Sequence, residues 1–258
     1  MGATLHRVVD GVGPRVVLAH GFTQTVASWR PVSQDLAPSH QVVRVDLPGH
    51  GGSGAVRADL GATAALVGEA GARATYAGYS MGGRVALRLA LDRPDLVERL
   101  VLIGATAGID DDEDRVARRA GDEALADRIE REGVDPFLAA WLAQPLFADL
   151  EPADDDLAAR QANPAAGLAW SLRLAGTATM DPPWWEEVAR IGAPTLVLAG
   201  EDDRKFVAVG HRLVDAIGAN ARFEVVPGAG HAAHLQRPAV VAQAIRTFVA
   251  AAGQPGSR

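Results

Sequence analysis

Short apolar runs, each closed by Gly, Pro or a polar residue, punctuate the first hundred residues of the chain. Val16-Val17-Leu18-Ala19, Val42 to Leu47, Thr75 to Tyr79 and Leu100 to Ile103 read as strands. Two further runs, Thr195 to Ala199 and Phe223 to Val226, come much later. Such continuous runs suit the strands of a parallel sheet covered on both faces. Helical patterns lie between them, the clearest from Gly83 to Leu91 and closed by Arg93-Pro94. Alternating strands and helices predict an α/β sheet with right-handed crossovers.

The pattern changes between Gly108 and Pro183. No run there reads as a strand, and the segment is rich in Ala, Asp, Glu and Arg, with Trp141 and Trp170 as apolar anchors. It predicts several helices inserted into the sheet. Such an insertion is expected to form a lid over the carboxyl ends of the strands, where open α/β sheets bind ligands. The expected organisation is a first core part over residues 1–107, a helical lid over 108–183 and a second core part over 184–258. A last amphipathic helix is expected over roughly Pro238 to Ala250, and the tail from Gly253 is expected to fray. No internal repeat appears.

Composition narrows the function classes. A chain of 258 residues, 48% hydrophobic and 22% charged, buries one substantial core and has the profile of a soluble globular protein. The net charge of −7 argues against nucleic acid or an anionic membrane as partner. It leaves an anionic small molecule open, because local groups set the field of a pocket. The absence of cysteine excludes disulfides, thiolate catalysis and cysteine-ligated zinc or iron–sulfur centres. No apolar run is long enough for a bilayer, and the first residues lack a signal-peptide layout. Met1-Gly2 invites a myristoylation reading, which His6 defeats by standing where Ser or Thr is needed. A cytoplasmic protein, monomeric or weakly self-associating and without membrane insertion, is expected.

The central chemical signal is Gly78-Tyr79-Ser80-Met81-Gly82, a G-x-S-x-G sequence between a predicted strand and a predicted helix. Its glycines permit a turn too tight for side chains, which presents the serine oxygen above the sheet. The helix N-terminus then offers the Met81 N–H to a developing oxyanion. Read without its context, the pentapeptide is a Gly-rich turn with an incidental serine. A serine hydroxyl needs a histidine, and the histidine an orienting carboxylate, ordered Ser, acid, His in this context. Glu201-Asp202-Asp203 follows one strand end and Ala229-Gly230-His231 follows the next. Asp203, three residues past Gly200, is the first choice of acid, with Asp202 second and Glu201 third. His234 follows His231 by three, but no carboxylate or third histidine accompanies the pair, so no metal is expected. Gly21 in His20-Gly21-Phe22 lets the backbone approach the nucleophile, making the Phe22 N–H the candidate second oxyanion donor. His50, in the loop Asp46 to Ser53, reads as structural.

Together these pieces resemble the α/β-hydrolase family over nearly the whole chain. A narrower resemblance, to the 2-succinyl-6-hydroxy-2,4-cyclohexadiene-1-carboxylate synthases of menaquinone biosynthesis, rests on five segments. They are Gly78 to Arg84, Asp46 to Ser53, Trp141-Leu142-Ala143-Gln144-Pro145-Leu146-Phe147, Gly200 to Phe206 and Gly230 to His234. The resemblance implies elimination of pyruvate from a cyclohexene bearing three carboxylates, without cofactor. It also implies cationic partners for those carboxylates. Arg84 lies one helical turn past Ser80, and the family's lid arginines fall on Arg118 and, after a small gap, on Arg160. The resemblance adds Tyr79, Trp141 and Lys205 to the substrate contacts. The bland alternatives are that Arg118 belongs to a solvated face, since residues 110–132 alternate acids and arginines, and that Lys205 is a surface lysine.

Fold and triad do not choose between reactions. A serine hydrolase, cleaving an ester or carbon–carbon bond through an acyl-enzyme, is the first rival to the lyase. A non-catalytic ligand receptor on the same scaffold is the second. Dehalogenase and epoxide-hydrolase readings are disfavoured, because those place an aspartate where this chain has Ser80.

Overall fold

The computed structural model describes residues 3–148 and 150–251. Seven strands form one sheet in the order β1-β3-β2-β4-β5-β6-β7. They are β1 (Arg7–Asp10), β2 (Arg15–Ala19), β3 (Gln41–Val45), β4 (Ala74–Tyr79), β5 (Val97–Ile103), β6 (Thr195–Gly200) and β7 (Ala221–Val226). Every neighbouring pair is parallel except β1 with β3, where Arg7 faces Val45 and Asp10 faces Val42.

Each of the six apolar runs marks a strand, with bounds that differ by at most three residues. β3 ends at Val45, before Asp46-Leu47. The buried Asp46 carboxylate accepts from Val26 N at 2.7 Å and Gly52 N at 2.8 Å, and these bonds fix a turn instead of a further ladder step. β5 starts at Val97, three residues before its apolar run, because Val97 pairs with Ala74 through a register shift. β1 went unseen in the sequence. It is four residues long and partly exposed on both faces, so it carries no apolar run.

Helices cover both faces. α1 (Arg30–Leu36) and α10 (Pro238–Ala250) pack together on one side, with Trp29, Leu36, Val241 and Ile245 buried against Leu18, Ile103 and Leu198. α2 (Leu60–Gly71), α3 (Met81–Asp92) and α8 (Arg204–Ile217) share the other core cluster with Val17, Leu100 and Val197. A one-turn helix, α9 (Ala233–Gln236), follows His231. The described part of the chain stops short of Gly253, so the expected fraying lies outside it, as do Met1 and Gly2.

Between β5 and β6 the chain leaves the sheet for α4 (Asp112–Glu132), α5 (Val134–Leu142), α6 (Asp154–Gln161) and α7 (Ala165–Ala175), with short 3-10 turns. Ala126, Ile129, Phe137, Leu168, Ala169 and Leu172 form a separate apolar cluster, and Trp141 and Phe22 pack against it. Trp170 stays outside that cluster, half-buried beneath the Arg57 guanidinium at 5.0 Å. Its sequence role as an anchor is therefore corrected: neighbouring Leu168, Ala169 and Leu172 take the inward face of α7. Among the described residues no helix is long and apolar enough to cross a membrane.

Candidate active site

Ser80 sits where β4 turns into α3, with φ 49° and ψ −107°. A side chain rarely enters that region, and it persists only where the surroundings over-determine it. Here two glycines do so. A Cβ on Gly78 would lie 2.2 Å from the Gly82 carbonyl oxygen, and one on Gly82 would lie 2.2 Å from that of Ala19. Larger residues at either place would push the elbow apart.

His231 reaches Ser80 from the loop after β7. Its Nδ1 lies 2.6 Å from Asp203 Oδ2 and its Nε2 lies 3.4 Å from Ser80 Oγ. Both His231 and Asp203 are buried. Asp203 also caps α8, its Oδ1 accepting from Phe206 N at 3.2 Å, so both carboxylate oxygens are engaged. Asp202 and Glu201 are exposed, and Glu201 accepts from Gly228 N at 2.9 Å instead. Of the three acids considered, the structure thus brings Asp203 to the histidine. Gly104, with φ +56°, lets the ring in: a Cβ there would lie 3.0 Å from His231 Cε1. The arrangement can move a proton from Ser80 to Nε2 while Asp203 holds the other ring proton on Nδ1. The serine–histidine contact is long, as such contacts often are before a substrate tightens them.

A cavity of about 400 Å³ opens over these groups. Phe22, Tyr79, Met81, Arg84, Arg118, Trp141, Arg160 and Lys205 all line it with Ser80 and His231. Met81 opens α3, and the first N–H groups of a helix have no intrahelical partner. Phe22 belongs to a turn that Gln24 N closes on Gly21 O at 3.2 Å. Gly21 allows that turn to press on the elbow, since a Cβ there would lie 2.6 Å from the Tyr79 ring. Phe22 and Trp141 meet edge to face at 5.3 Å.

The lining cations differ in how they are held. Arg84 is buried, donates from Nη2 to Ala175 O at 3.1 Å and leaves Nε without a partner. Burial pushes its pKa down to about 10, with repulsion from Arg118 adding to the shift and Asp122 opposing it. It remains charged near neutral pH. Arg160, buried at 2%, pairs through Nε with Asp156 at 2.7 Å and leaves Nη2 unpartnered. Arg118 is part exposed and pairs with the buried Asp122 at 2.8 Å. It belongs both to the charged outer face of α4 and to the cavity wall. Lys205 is exposed at the rim, 5.9 Å from the Phe206 ring. Among the described residues, no Asp or Glu lines the cavity. The cavity is therefore a cationic site in a protein whose net charge is −7.

Three further histidines surround this centre and are held neutral. Burial lowers His20 to about 4 and His50 to about 3. Burial and then the Arg160 charge hold His234 well below its ordinary value. His50 accepts from Thr23 N at 3.3 Å and donates to Pro48 O at 3.0 Å, so both ring nitrogens work within loops. His234 lies between Trp29 and Tyr79, at 4.5 and 4.2 Å, and donates to Gln24 Oε1 at 3.2 Å. Among the described residues no three His, Asp or Glu side chains gather in a metal-binding group.

The sequence reading passed over Arg212 and Val209 and named Phe206 only within the Gly200 to Phe206 segment; all three line the cavity from α8. The signal was there: counted from Asp203, they recur every three residues along one helix face. Arg212 stacks 3.6 Å above the Trp185 ring and pairs with Asp110, Nη2 to Oδ1 at 3.0 Å, where the insertion begins. Gln24 was passed over too, since its place depends on a turn that folds its side chain back.

Comparisons with known proteins bear on the family and the fold. A model of the alpha/beta hydrolase family matches residues 16–244. The 2-succinyl-6-hydroxy-2,4-cyclohexadiene-1-carboxylate synthase of Klebsiella pneumoniae (strain 342) is 34% identical, covering 92% of this chain and 94% of that protein. The enzyme of the same name from Serratia proteamaculans (strain 568) is 32% identical, over 92% and 93%. Among solved structures, MenH from S. aureus superposes with a TM-score of 0.89 at 26% identity, covering 98% of this chain and all of that one. A thermophilic esterase from Thermogutta terrifontis gives 0.77 at 26% identity, over 95% and 93%.

Proposed function

The chain belongs to the α/β-hydrolase family, in its branch of 2-succinyl-6-hydroxy-2,4-cyclohexadiene-1-carboxylate synthases, and we propose that it catalyses their elimination of pyruvate. The substrate is 2-succinyl-5-enolpyruvyl-6-hydroxy-3-cyclohexene-1-carboxylate. The ring proton α to the succinyl ketone is acidic. Ser80, with His231 accepting its proton and Asp203 holding the ring, removes that proton directly or relays it. The electron pair moves through the ring double bond, and the carbon–oxygen bond to the enolpyruvyl group breaks. The departing enolate takes up a proton and becomes pyruvate. During the reaction the ketone oxygen gathers negative charge, and the Phe22 and Met81 N–H groups receive it. No acyl-enzyme and no cofactor take part. We place this activity in the cytoplasm.

One observation carries the choice of lyase over esterase. The nucleophile opens into a cavity lined by Arg84, Arg118, Arg160, Lys205 and Arg212, with no carboxylate in the lining among the described residues. Arg118, Arg160 and Arg212 are each shared with a carboxylate behind the wall, while Arg84 has an unpartnered Nε and Arg160 an unpartnered Nη2. A neutral ester has no use for such groups, whereas a tricarboxylate cannot be held without several. Tyr79 and Trp141 supply apolar wall beside them. The test is pyruvate release from the pathway substrate by purified protein, run beside hydrolysis of p-nitrophenyl acetate. Brisk ester hydrolysis with no pyruvate would replace this reading with a serine hydrolase.

A further inference from the structure

The turn that carries Phe22 is held by several side chains, and two of them come from the helical insertion: Asn163, and Arg160, whose Nη1 donates to Thr23 Oγ1 at 3.5 Å. Thr23, the next residue, has φ 68°, a conformation that a β-branched residue avoids. Its N–H donates to His50 Nε2 at 3.3 Å. Its carbonyl accepts from Asn163 Nδ2 at 2.8 Å, and Asn163 Oδ1 in turn accepts from Gly51 N at 2.8 Å. Asn163 follows α6 and is buried at 4%. On the other side, Gln24 Oε1 accepts from Gly21 N at 3.0 Å and from His234 at 3.2 Å.

These bonds assign the Asn163 amide without ambiguity. Gly51 N–H can only donate, so the atom facing it is the oxygen. Thr23 O can only accept, so the atom facing it is the NH₂ group. Both functions of the side chain are used, and neither touches the cavity.

We propose that Asn163 is a positioning residue, through which the insertion holds the strained Thr23 turn and aims the Phe22 N–H at the developing oxyanion. The insertion then does more than cover the substrate. It completes the oxyanion site, because a displaced α6 takes the Thr23 anchor with it. The inference rests on the role given above to the Phe22 N–H. It does not depend on whether the reaction is elimination or hydrolysis, since both develop an oxyanion there.

Asn163→Asp tests it with almost no change of shape. The new carboxylate still accepts from Gly51 N but turns an oxygen toward Thr23 O, converting an attraction into a repulsion. Misplacing one oxyanion donor costs roughly 10- to 100-fold in rate. We expect kcat for pyruvate release to fall by about that factor with KM little changed, as Asn163 touches no substrate. The rate at which a fluorophosphonate modifies Ser80 should fall likewise. Acid should partly rescue the variant. A carboxyl buried against a carbonyl has a raised pKa, and its protonated form donates to Thr23 O as the amide did. The variant-to-wild-type ratio of phosphonylation rates should therefore rise as pH falls. A destabilised but correctly aimed turn would lower Tm and leave both that ratio and kcat alone.

Deuterium exchange over residues 20–26 supplies a readout free of catalysis, with faster exchange expected in the variant. Wild-type rates and wild-type exchange in Asn163→Asp would overturn the proposal. So would a wild-type Ser80 that resists the phosphonate, because no oxyanion site would then exist to be aimed. A wild type that phosphonylates normally but releases no pyruvate would sink the lyase reading and leave this inference standing.

Discussion

The sheet and the insertion meet at one cavity, yet they are held together by different forces. Around Ser80 the strands β2, β4, β5 and β6 are buried along most of their length, and the elbow is fixed by backbone contacts that tolerate no side chain. The insertion has a small apolar cluster and many ion pairs. Arg173 alone reaches Glu123, Asp127 and Glu130 across α4 and α7, at 2.6 to 2.9 Å. Packing against a dense apolar sheet is insensitive to salt, whereas pairs at the surface are screened. The proposed proton-transfer groups thus sit on the apolar sheet, and part of the proposed carboxylate-binding set sits on the ion-paired insertion. Arg84 belongs to the first, Arg118 and Arg160 to the second.

The sharpest way to break this division is to remove the rigid centre. Ser80→Ala and His231→Ala should each lower kcat by about 10⁴-fold or more, and the double variant should lose little further, because the two act as a unit. Asp203→Asn should also be severe. The folded protein should persist in all three, seen as an unchanged far-UV CD spectrum. If the double loss were the product of the single ones, the two groups would be working independently and the triad reading would fall.

Next in size is the acid sensitivity of the loops beneath the centre. His20 and His50 have folded pKa values of about 4 and about 3, against an ordinary value of 6.5. A histidine kept neutral in the fold but free to protonate when unfolded contributes stability that is complete above about pH 6.5. That contribution is lost as pH falls toward the folded values. Unfolding midpoints in urea should therefore decline between pH 6.5 and 4, and decline less in His50→Gln, which can keep both loop bonds. A flat midpoint across that window would show that these rings protonate without cost.

Arg84→Ala should lower kcat/KM for pyruvate release by roughly ten- to a hundredfold, the worth of about 1.5–3 kcal/mol for one charge-assisted contact. Hydrolysis of p-nitrophenyl acetate should hardly change. Arg118→Ala should cost less, because Asp122 already shares that charge. Equal losses on both substrates would mean that Arg84 supports the elbow and does not hold a carboxylate.

How far the sequence foretold this follows the same division. Ser80, Asp203 and His231 were legible because each stands at a strand end with a local signature, and local signatures survive folding. Phe22 and Met81, the proposed oxyanion donors, could be named for the same reason, and both line the cavity. Arg160 was hard to place from the residues alone, since its value lies in burial at 2% beside Asp156, and burial in a helical insertion leaves no strand-like period. Arg118 looked like one more charge on a solvated face because, on its outer side, it is one. Asn163 and Gln24 carried no signal at all. Their importance comes from contacts across 140 and 210 residues of chain, to Thr23 and to His234, which no short motif records. β1 was missed because a partly exposed edge strand needs no apolar run.

The smallest effect expected is also the one that tests whether the insertion depends on charge. Arg173 is about a quarter exposed, at 23%, while its three carboxylate partners are 40% exposed or more. Pairs of that kind contribute about 0.2–1 kcal/mol each, and they do not add fully when one guanidinium serves three anions. Arg173→Ala should therefore lower stability by about 1 kcal/mol, a Tm shift of roughly 2–4 °C for a chain of this size. Raising sodium chloride to about 1 M should shrink the gap between variant and wild type, since the Debye length falls to roughly 3 Å. The carboxylates left behind also repel one another, which salt relieves in the same direction. kcat should stay within about twofold, because α4 keeps its apolar contacts with α7 through Ile129, Leu168 and Leu172. A gap that salt does not close would mean that the Arg173 stem, not its charge, holds the two helices together. Gln or Met at this position would then restore the midpoint where Ala does not.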